Sequence, residues 1–282
     1  MCNVCLYGQS VLKYNLNEGD TFLVKQNAEQ IITQELDGAS HVLTNTLDGI
    51  LEFKVLGEND GNYGVDLRFK DLNLLMTSSI QGELMNVRAK EVSEENMQSK
   101  IFNSLLEQPV KLVLSKTGDI LEVIGGDSLV SRMANSSGLE DDFSKNMMKK
   151  SLEKEFGSEA LSNSYEQMTF IYTEDEVAVG DTWQNTYTGK LNAQNTWTLK
   201  AIEDASTTIS GTATVVMTVE EPATTMNLEG IQNTEVTADE ESGFIKLMRV
   251  ESEATGISTM TQLGDQKIPT TITSTITYEL IE

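Results

Sequence analysis

The sequence predicts an α+β protein, mainly antiparallel β, in which curved-sheet or half-barrel units flank a central helical segment. Three observations carry this. Residues 11–90 and 169–282 alternate apolar with polar positions between short Gly, Asp and Asn turns, the period of half-buried strands. Residues 93–168 switch to a spacing of three to four and are rich in Lys, Glu, Met and Ser, which suit helices. The C-terminal third is rich in Thr and Val, which suit strands. The organisation expected is a short leader at 1–9, an N-terminal β unit at 10–92, a helical segment at 93–168 with one hairpin at 109–124, and a C-terminal β unit at 169–282. The last three form one compact domain or two coupled β halves.

Taken in order, VLKYNL at 11–16 reads as a first strand, closed by the turn NEGD. TFLVKQNAEQIITQEL follows, then the turn DGAS, then a long strand expected to bulge near Asp48-Gly49, where the apolar phase slips. GENDGN is a hairpin turn. Val65, Leu67 and Phe69 then alternate with charged residues, and Leu72, Leu74 and Met76 resume in the opposite phase.

Ser93 is expected to cap a helix, with Glu94 and Glu95 in its first turn, where the helix dipole favours carboxylates. Met97, Ile101 and Leu105 recur every fourth residue, with Phe102 and Leu106 beside them, until Pro109 ends the helix. PVKLVLSKTGDILEVIGG folds into a hairpin at Lys116-Thr117-Gly118. Asp127 caps a short helix through Met133, ANSSG is a loop, and a longer helix runs from about Leu139 to Phe156. Its apolar residues Phe143, Met147, Met148, Leu152 and Phe156 are assigned to one side. Gly157 ends it, and Ser158 caps a last helical piece carrying Leu161 and Tyr165. Six strands follow, and the last, IPTTITSTITYELI, puts Ile272, Ile276, Tyr278 and Leu280 on one face. Pro109, Pro222 and Pro269 are all placed at element boundaries.

Two internal echoes stand out. Gly19-Asp20-Thr21-Phe22 and Gly180-Asp181-Thr182-Trp183 each lead into a strand, with Gly supplying the turn dihedral and Asp bonding back to the backbone. The hairpins around Gly118 and Gly243 are also alike. Duplication of a β unit and chance similarity of common turns both fit these echoes.

Composition excludes several functions. The net charge is −24, from 44 acidic and 20 basic residues, a field that repels nucleic acid and anionic headgroups. No run of about 18 apolar residues is present to span a membrane. His41 is the single histidine, and both cysteines, Cys2 and Cys5, stand at the extreme N-terminus, so no zinc ligand set can be written. No serine sits in a Gly-x-Ser-x-Gly elbow, and neither a P-loop nor a dinucleotide-binding glycine turn occurs. A glycosidase-type carboxylate pair is not excluded by counting. Aromatics are only 6% of the chain, however, and Trp183 and Trp197 sit where a core needs them. The acidic turns at 58–62 and 238–243 do not match a calcium loop and read as solvated hairpin tips. No cofactor, metal or catalytic residue is assigned.

What remains is apolar. Met97, Phe102, Met133, Phe143, Met147 and Met148 in the helical segment, with Met76 on a preceding strand, are the candidates for lining a cavity between sheet and helices. Methionine adapts to irregular apolar partners, although the same residues also suit an ordinary core.

GDTF at 19–22, KIFNSLLEQPVKLVLSKTGDILEV at 100–123, YEQMTFIY at 165–172 and VGDTWQN at 179–185 carry a family likeness. In these stretches, and from about residue 11 onward, the chain resembles a family of uncharacterised secreted envelope proteins of Gram-negative, Bacteroidetes-type bacteria. The resemblance implies export and brings no established activity. The strand–helix–strand layout is similar to that of the periplasmic lipoprotein-carrier class (LolA-like), whose half-open barrel holds acyl chains under helices. Members of the resembled family begin with a signal peptide, so MCNVCLYG is expected to be the tail of an export signal, with the mature chain starting near Gln9. A lipid-anchored Cys5 is the alternative, with Asn3 and Val4 before it where a small residue is wanted.

The expected protein is therefore non-catalytic, exported to the periplasm, outer membrane or extracellular space, and binds an apolar or lipid-like ligand. A surface module presenting Thr-rich strands to an envelope protein or glycan is the second expectation, and an enzyme the third.

Overall fold

The computed structural model describes residues 10–93, 96–189, 191–264 and 266–281. The N-terminal stretch with Cys2 and Cys5, and Glu94 and Glu95, lie outside the described residues. A short ribbon pairs β1 (Ser10–Val11) with β8 (Glu176–Val177). All other strands found among the described residues join one 12-stranded antiparallel sheet. Its N-terminal members are β2 (Thr21–Leu36), β3 (Ala39–Asn59), β4 (Asn62–Ser78), β5 (Gly82–Arg88), β6 (Val110–Leu114) and β7 (Ile120–Ile124). Its C-terminal members are β9 (Thr182–Tyr187), β10 (Leu191–Glu203), β11 (Ser206–Glu221), β12 (Thr224–Asp239), β13 (Ile245–Met260) and β14 (Gln266–Leu280). α1 (Met97–Asn103) falls between β5 and β6, and α2 (Gly126–Ser136), α3 (Asp142–Phe156) and α4 (Ser158–Thr169) stand between the two groups. The fold is α+β with a large curved sheet, as the alternating pattern predicts.

Across the sheet the order is β7-β6-β4-β3-β2-β14-β13-β12-β11-β10-β9, with β5 on the far part of β4. The seam between β2 and β14, with Val24 opposite Leu280, fuses the first and last β segments into one surface. The hairpins are tight because Asp37-Gly38 and Asp60-Gly61 both take positive φ, the two-residue turn whose twist matches the strands. Neighbouring strands approach closely at glycine. A side chain at Gly230 would run into the Glu253 carbonyl of the neighbouring strand, so only glycine fits there.

Several boundaries differ from the sequence expectation. The bulge lies one strand over: Ile50 faces Asp71 and Leu51 faces Phe69, so the extra residue is Lys70 on β4. That single insertion is why Phe69 and Leu72 both point into the core. Of the expected first strand only Val11 pairs as strand, together with Ser10 just before it. Leu12, Tyr14 and Leu16 still alternate inward and are buried, but their segment threads under the sheet. Pro269 lies inside β14, just before its pairing to β2 begins at Thr270.

The helices are corrected too. Asn96 caps α1 by accepting from the Ser99 N–H at 3.1 Å, while Ser93 bonds the Ser99 side chain instead. α1 ends at Asn103, well before Pro109, and beyond it Leu106 bridges to Phe69 and Glu107 takes a positive φ of 62°. Gly125, not Asp127, stands at the N-cap of α2, which runs on through the expected ANSSG loop to Ser136. α3 starts at Asp142, where the Asp141 carboxylate accepts from the Ser144 N–H at 2.7 Å. Gly157 occupies the N-cap of α4, and no Ser158 side-chain bond caps it.

The two Gly-Asp turns are alike in bond detail. The Asn17 N–H donates to Asp20 at 2.7 Å, and the Ala178 N–H donates to Asp181 at 2.8 Å. Gly19 and Gly180 donate to Val55 and Leu199 on the neighbouring strands, and those residues donate back to Asp20 and Asp181. Each turn thus pins the start of its strand, β2 or β9, to the next one.

Under the sheet, the segments around Tyr14 and Tyr172 meet. Their rings are 5.3 Å apart, edge to face. The Tyr14 hydroxyl donates to the Thr169 carbonyl at 3.0 Å, and the Tyr172 hydroxyl donates to the Gly243 carbonyl at 2.6 Å. Backbone bonds from Tyr14 to Lys116 and from Tyr172 to Thr117 hold the β6–β7 turn, and Asn15 holds Ser242. Phe22 stacks on Phe244 at 4.0 Å beside them. At the other side, Trp183, Asn185 and Tyr187 of β9 all donate to carbonyls of Ile171 or Phe170. Residues 169–172 therefore span from β9 to the β6–β7 turn, linking the two ends of the sheet.

Gly118 is the tight point of this junction. It has φ 97°, and an added side chain would collide with the Thr169 carbonyl. Gly118→Ala is expected to lower stability by about 3 kcal/mol, roughly 5–10 °C in Tm by thermal unfolding. Gly19→Ala has the similar φ of 95° but open space around it. It should lose only about 1 kcal/mol, and equal losses at the two sites would refute the packing argument.

Candidate functional site: a cavity between the sheet and the helices

The inner face of the sheet is covered only in part by the helices. A cavity of about 420 Å³ lies between β2–β5 and helices α1, α3 and α4. β4 supplies Phe69, Leu72, Leu74 and Met76, β3 supplies Leu47, and β5 supplies Met85. The helices close it with Phe102, Phe156, Leu161 and Tyr165. The phase reversal at Lys70 is what turns Leu72, Leu74 and Met76 toward it. Its aromatic walls interlock, Phe102 against Phe156 at 5.9 Å and Phe69 against both Phe156 and Tyr165 at 6.3 Å. Leu74, Met76, Met85 and Phe102 are only half-buried, so solvent reaches part of this lining.

The neutral polar side chains of the lining are Gln26 on β2, Asn45 and Thr46 on β3, and Ser164 and Tyr165 on α4. Gln26 donates to the Tyr278 hydroxyl at 3.4 Å, and the Asn45 amide nitrogen donates to Gln30 at 3.1 Å. The Asn45 Oδ1 is buried and has no hydrogen-bond partner. Burial, with the Tyr278 hydroxyl close by, pushes the Tyr165 hydroxyl above the usual tyrosine range, so it stays protonated and neutral. Glu155 is the one carboxylate at the rim, and no Lys, Arg or His lines the cavity among the described residues.

The candidates from sequence divide. Met76 and Phe102 line this cavity. Met133 is fully buried in α2 within the general core, and Met148 packs half-buried against that core. Met97 is 40% exposed, Met147 55% and Phe143 76%, so these three face solvent. The reason is angular. At about 100° per residue, Phe143 and Met147 form one stripe of α3, and Met148, Leu152 and Phe156 form another whose centre is roughly 160° away. Met85, on a strand before the helices and part of the same methionine pattern, lines the cavity too, whereas the sequence does not mark Leu47, Leu74, Phe156 or Asn45 as lining residues. The half-buried alternation of β3 and β4 was the available signal for Leu47 and Leu74.

A larger groove of about 730 Å³ crosses the outer face of β13, β14 and β2–β5. Its floor is a cross-strand row, Arg249, Thr277, Asn27, Asp48, Asn73 and Arg88, with no aromatic side chain. It is bigger than the inner cavity, but its wall is polar and open to water. His41 lines a small apolar recess with Leu36, Ile80, Leu84 and Ile268. Among the described residues, no Asp or Glu is fully buried, and no three metal-ligating side chains gather. No helix among them is long and apolar enough to cross a membrane.

Asp119 and Glu166 are both raised above the ordinary carboxylate range. Burial is the main cause at both, and the Asp119 charge adds to it at Glu166. Neither lines the cavities described above. With the folded pKa raised, the favourable contribution is complete below the unfolded value near 4.5 and is lost as pH rises through the folded value. Glu166→Gln should therefore raise Tm at pH 7.5, and the gain should vanish at pH 4, measured by thermal melts at both pH values. A gain that persists at pH 4 would assign the effect to packing.

The chain belongs to a family of unknown function (DUF6263), whose model matches residues 60–245. No curated protein matches the chain in sequence. A solved structure of lipovitellin, reported for its lipid–protein interactions, is similar at a TM-score of 0.52 and 11% identity, over 95% of this chain and 26% of that one. The chain thus spans about a quarter of the lipovitellin chain, and the likeness is one of fold. An outer-membrane channel from Pseudomonas putida F1 gives a TM-score of 0.25 at 9% identity, over 95% of this chain and 98% of its own, a value that does not establish a common fold.

Proposed function

We propose that this protein is a non-catalytic binding protein of the cell envelope that holds an apolar, lipid-like molecule in the cavity between its sheet and helices. The carrying observation is the cavity itself: about 420 Å³, walled mainly by aliphatic, Met and aromatic side chains, with a few neutral polar groups on β2, β3 and α4. That is the build of a site for one small apolar ligand. Water gains little from such walls, and an acyl chain there would bury apolar surface at about 25 cal/mol per Å². The fold likeness to lipovitellin, a protein studied for its lipid interactions, agrees in kind. Placement in the envelope rests on the family resemblance of the sequence, and fractionation of the native host would test it.

The outer groove supports a second reading, a surface that takes a glycan or protein. Its amide, carboxylate, guanidinium and hydroxyl row offers the donors and acceptors a sugar needs. The absence of a stacking aromatic among its lining residues places it second. A glycan array would decide for it.

Native mass spectrometry of protein purified from its own host should show a co-purifying apolar molecule. Leu74→Trp fills the cavity from β4 and should weaken binding of the neutral dye Nile red by at least about tenfold, or 1.4 kcal/mol. The fold should survive, read by circular dichroism. Unchanged dye binding with an intact fold would remove the cavity as the site.

A further inference from the structure

We infer that the molecule bound in this cavity is a neutral amphiphile whose polar group is a hydroxyl, an inference that rests on the cavity being the binding site. The lining is mostly apolar, with Gln26, Asn45 and Thr46 on β2 and β3 and Ser164 and Tyr165 on α4 as its neutral polar side chains, and among these Asn45 holds an acceptor without a partner. Asn45 is held by its bond to Gln30 at 3.1 Å, which leaves its Oδ1 buried and without a donor. A buried acceptor without a partner is destabilising, and a ligand group that supplies the donor removes the defect. A hydroxyl both donates and accepts, so it satisfies the amide whichever of its two ends faces the ligand.

Charge narrows the class further. No Lys, Arg or His lines the cavity among the described residues, and Glu155 stands at its rim. The whole chain carries a net charge of −24. An ionised carboxylate or phosphate would enter this field without a counter-charge and lose its hydration, which is heavily unfavourable. An ammonium group would be drawn by the field, but at Asn45 it would meet only neutral amides, with three donors to place and no carboxylate beside it. A neutral head on an apolar chain fits both the walls and the orphaned acceptor.

The test is displacement of Nile red from the intact protein at pH 8 by four ten-carbon probes: 1-decanol, decanoate, decylamine and decane. Decanol should compete at concentrations at least about tenfold below decanoate and several-fold below decane and decylamine, the tenfold step being 1.4 kcal/mol. Asn45→Leu should abolish the advantage of decanol over decane while leaving decane unchanged. The wild-type series reads the preference without any variant, so a poorly folded Asn45→Leu protein does not blur the result. If decane displaces the dye and decanoate or decylamine matches decanol, the cavity reading stands and the hydroxyl inference falls. If no probe displaces the dye, both fall.

Discussion

The crossing of two extended segments beneath the sheet is the constraint on which the rest of the molecule depends. β7 and β9 end the sheet, and neither is paired to the other. Without another tie, a 12-stranded antiparallel surface would expose two edges and be free to open. Residues 169–172 supply the tie, bonded to Trp183, Asn185 and Tyr187 on one side and to Thr117 on the other. Tyr14 locks against it from the opposite direction and is itself gripped by Tyr63, whose hydroxyl donates to the Tyr14 carbonyl at 3.2 Å. Burial raises Tyr14 well above the ordinary tyrosine range, followed in effect by the neighbouring Tyr172 and Tyr187 hydroxyls. Its bond to Thr169 is therefore that of a neutral phenol at any pH the protein meets. The sheet stays curved because its base is fastened, and the cavity above exists because the sheet stays curved.

The paired Gly-Asp turns belong to the same constraint. Both place an aromatic one residue after Thr, and both aromatics land at the junction: Phe22 stacks on Phe244, and Trp183 donates to Ile171 at 3.0 Å. Gly118 and Gly243 repeat the relation, since each presses against the backbone of a threaded segment, at Thr169 and at Lys13. Four local signals thus serve one tertiary joint, with each β half contributing a turn and a hairpin. This agreement of local and global structure is what a foldable sequence requires.

Much of the fold was legible because strands and turns announce themselves locally. The alternation of β9 to β14 and the Asp-Gly pairs set strand spacing directly, and the clean inner face of β14 was read residue by residue. Errors arose where a local pattern has two tertiary solutions. The slip near Asp48-Gly49 was visible, but an inserted residue in either strand of the pair produces it, and Lys70 carries it. Leu12, Tyr14 and Leu16 alternate as a strand does, yet their backbone bonds go to turns, which sequence period cannot show. The grouping of Phe143 and Met147 with Leu152 ignored the helical angle, an error the sequence itself could have exposed. The cavity's polar end was out of reach, since nothing local distinguishes Asn45 from the other amides of β2 and β3. Only the pairing register brings it opposite Gln30.

A void of this size also has an energetic consequence. If about 420 Å³ were enclosed, apolar and empty, the penalty at roughly 24 cal/mol per Å³ would approach 10 kcal/mol. That equals the entire stability of many domains, which lies at about 5–15 kcal/mol. The chain avoids this by leaving Leu74, Met76, Met85 and Phe102 half-buried, so that water enters part of the space. Water there meets mostly hydrocarbon and finds few polar partners. The unfilled state is therefore folded but poorly satisfied at this one place, and anything apolar that displaces the water stabilises the protein by mass action. A rigid base under an incompletely filled cavity is the arrangement in which binding and stability share the same contacts.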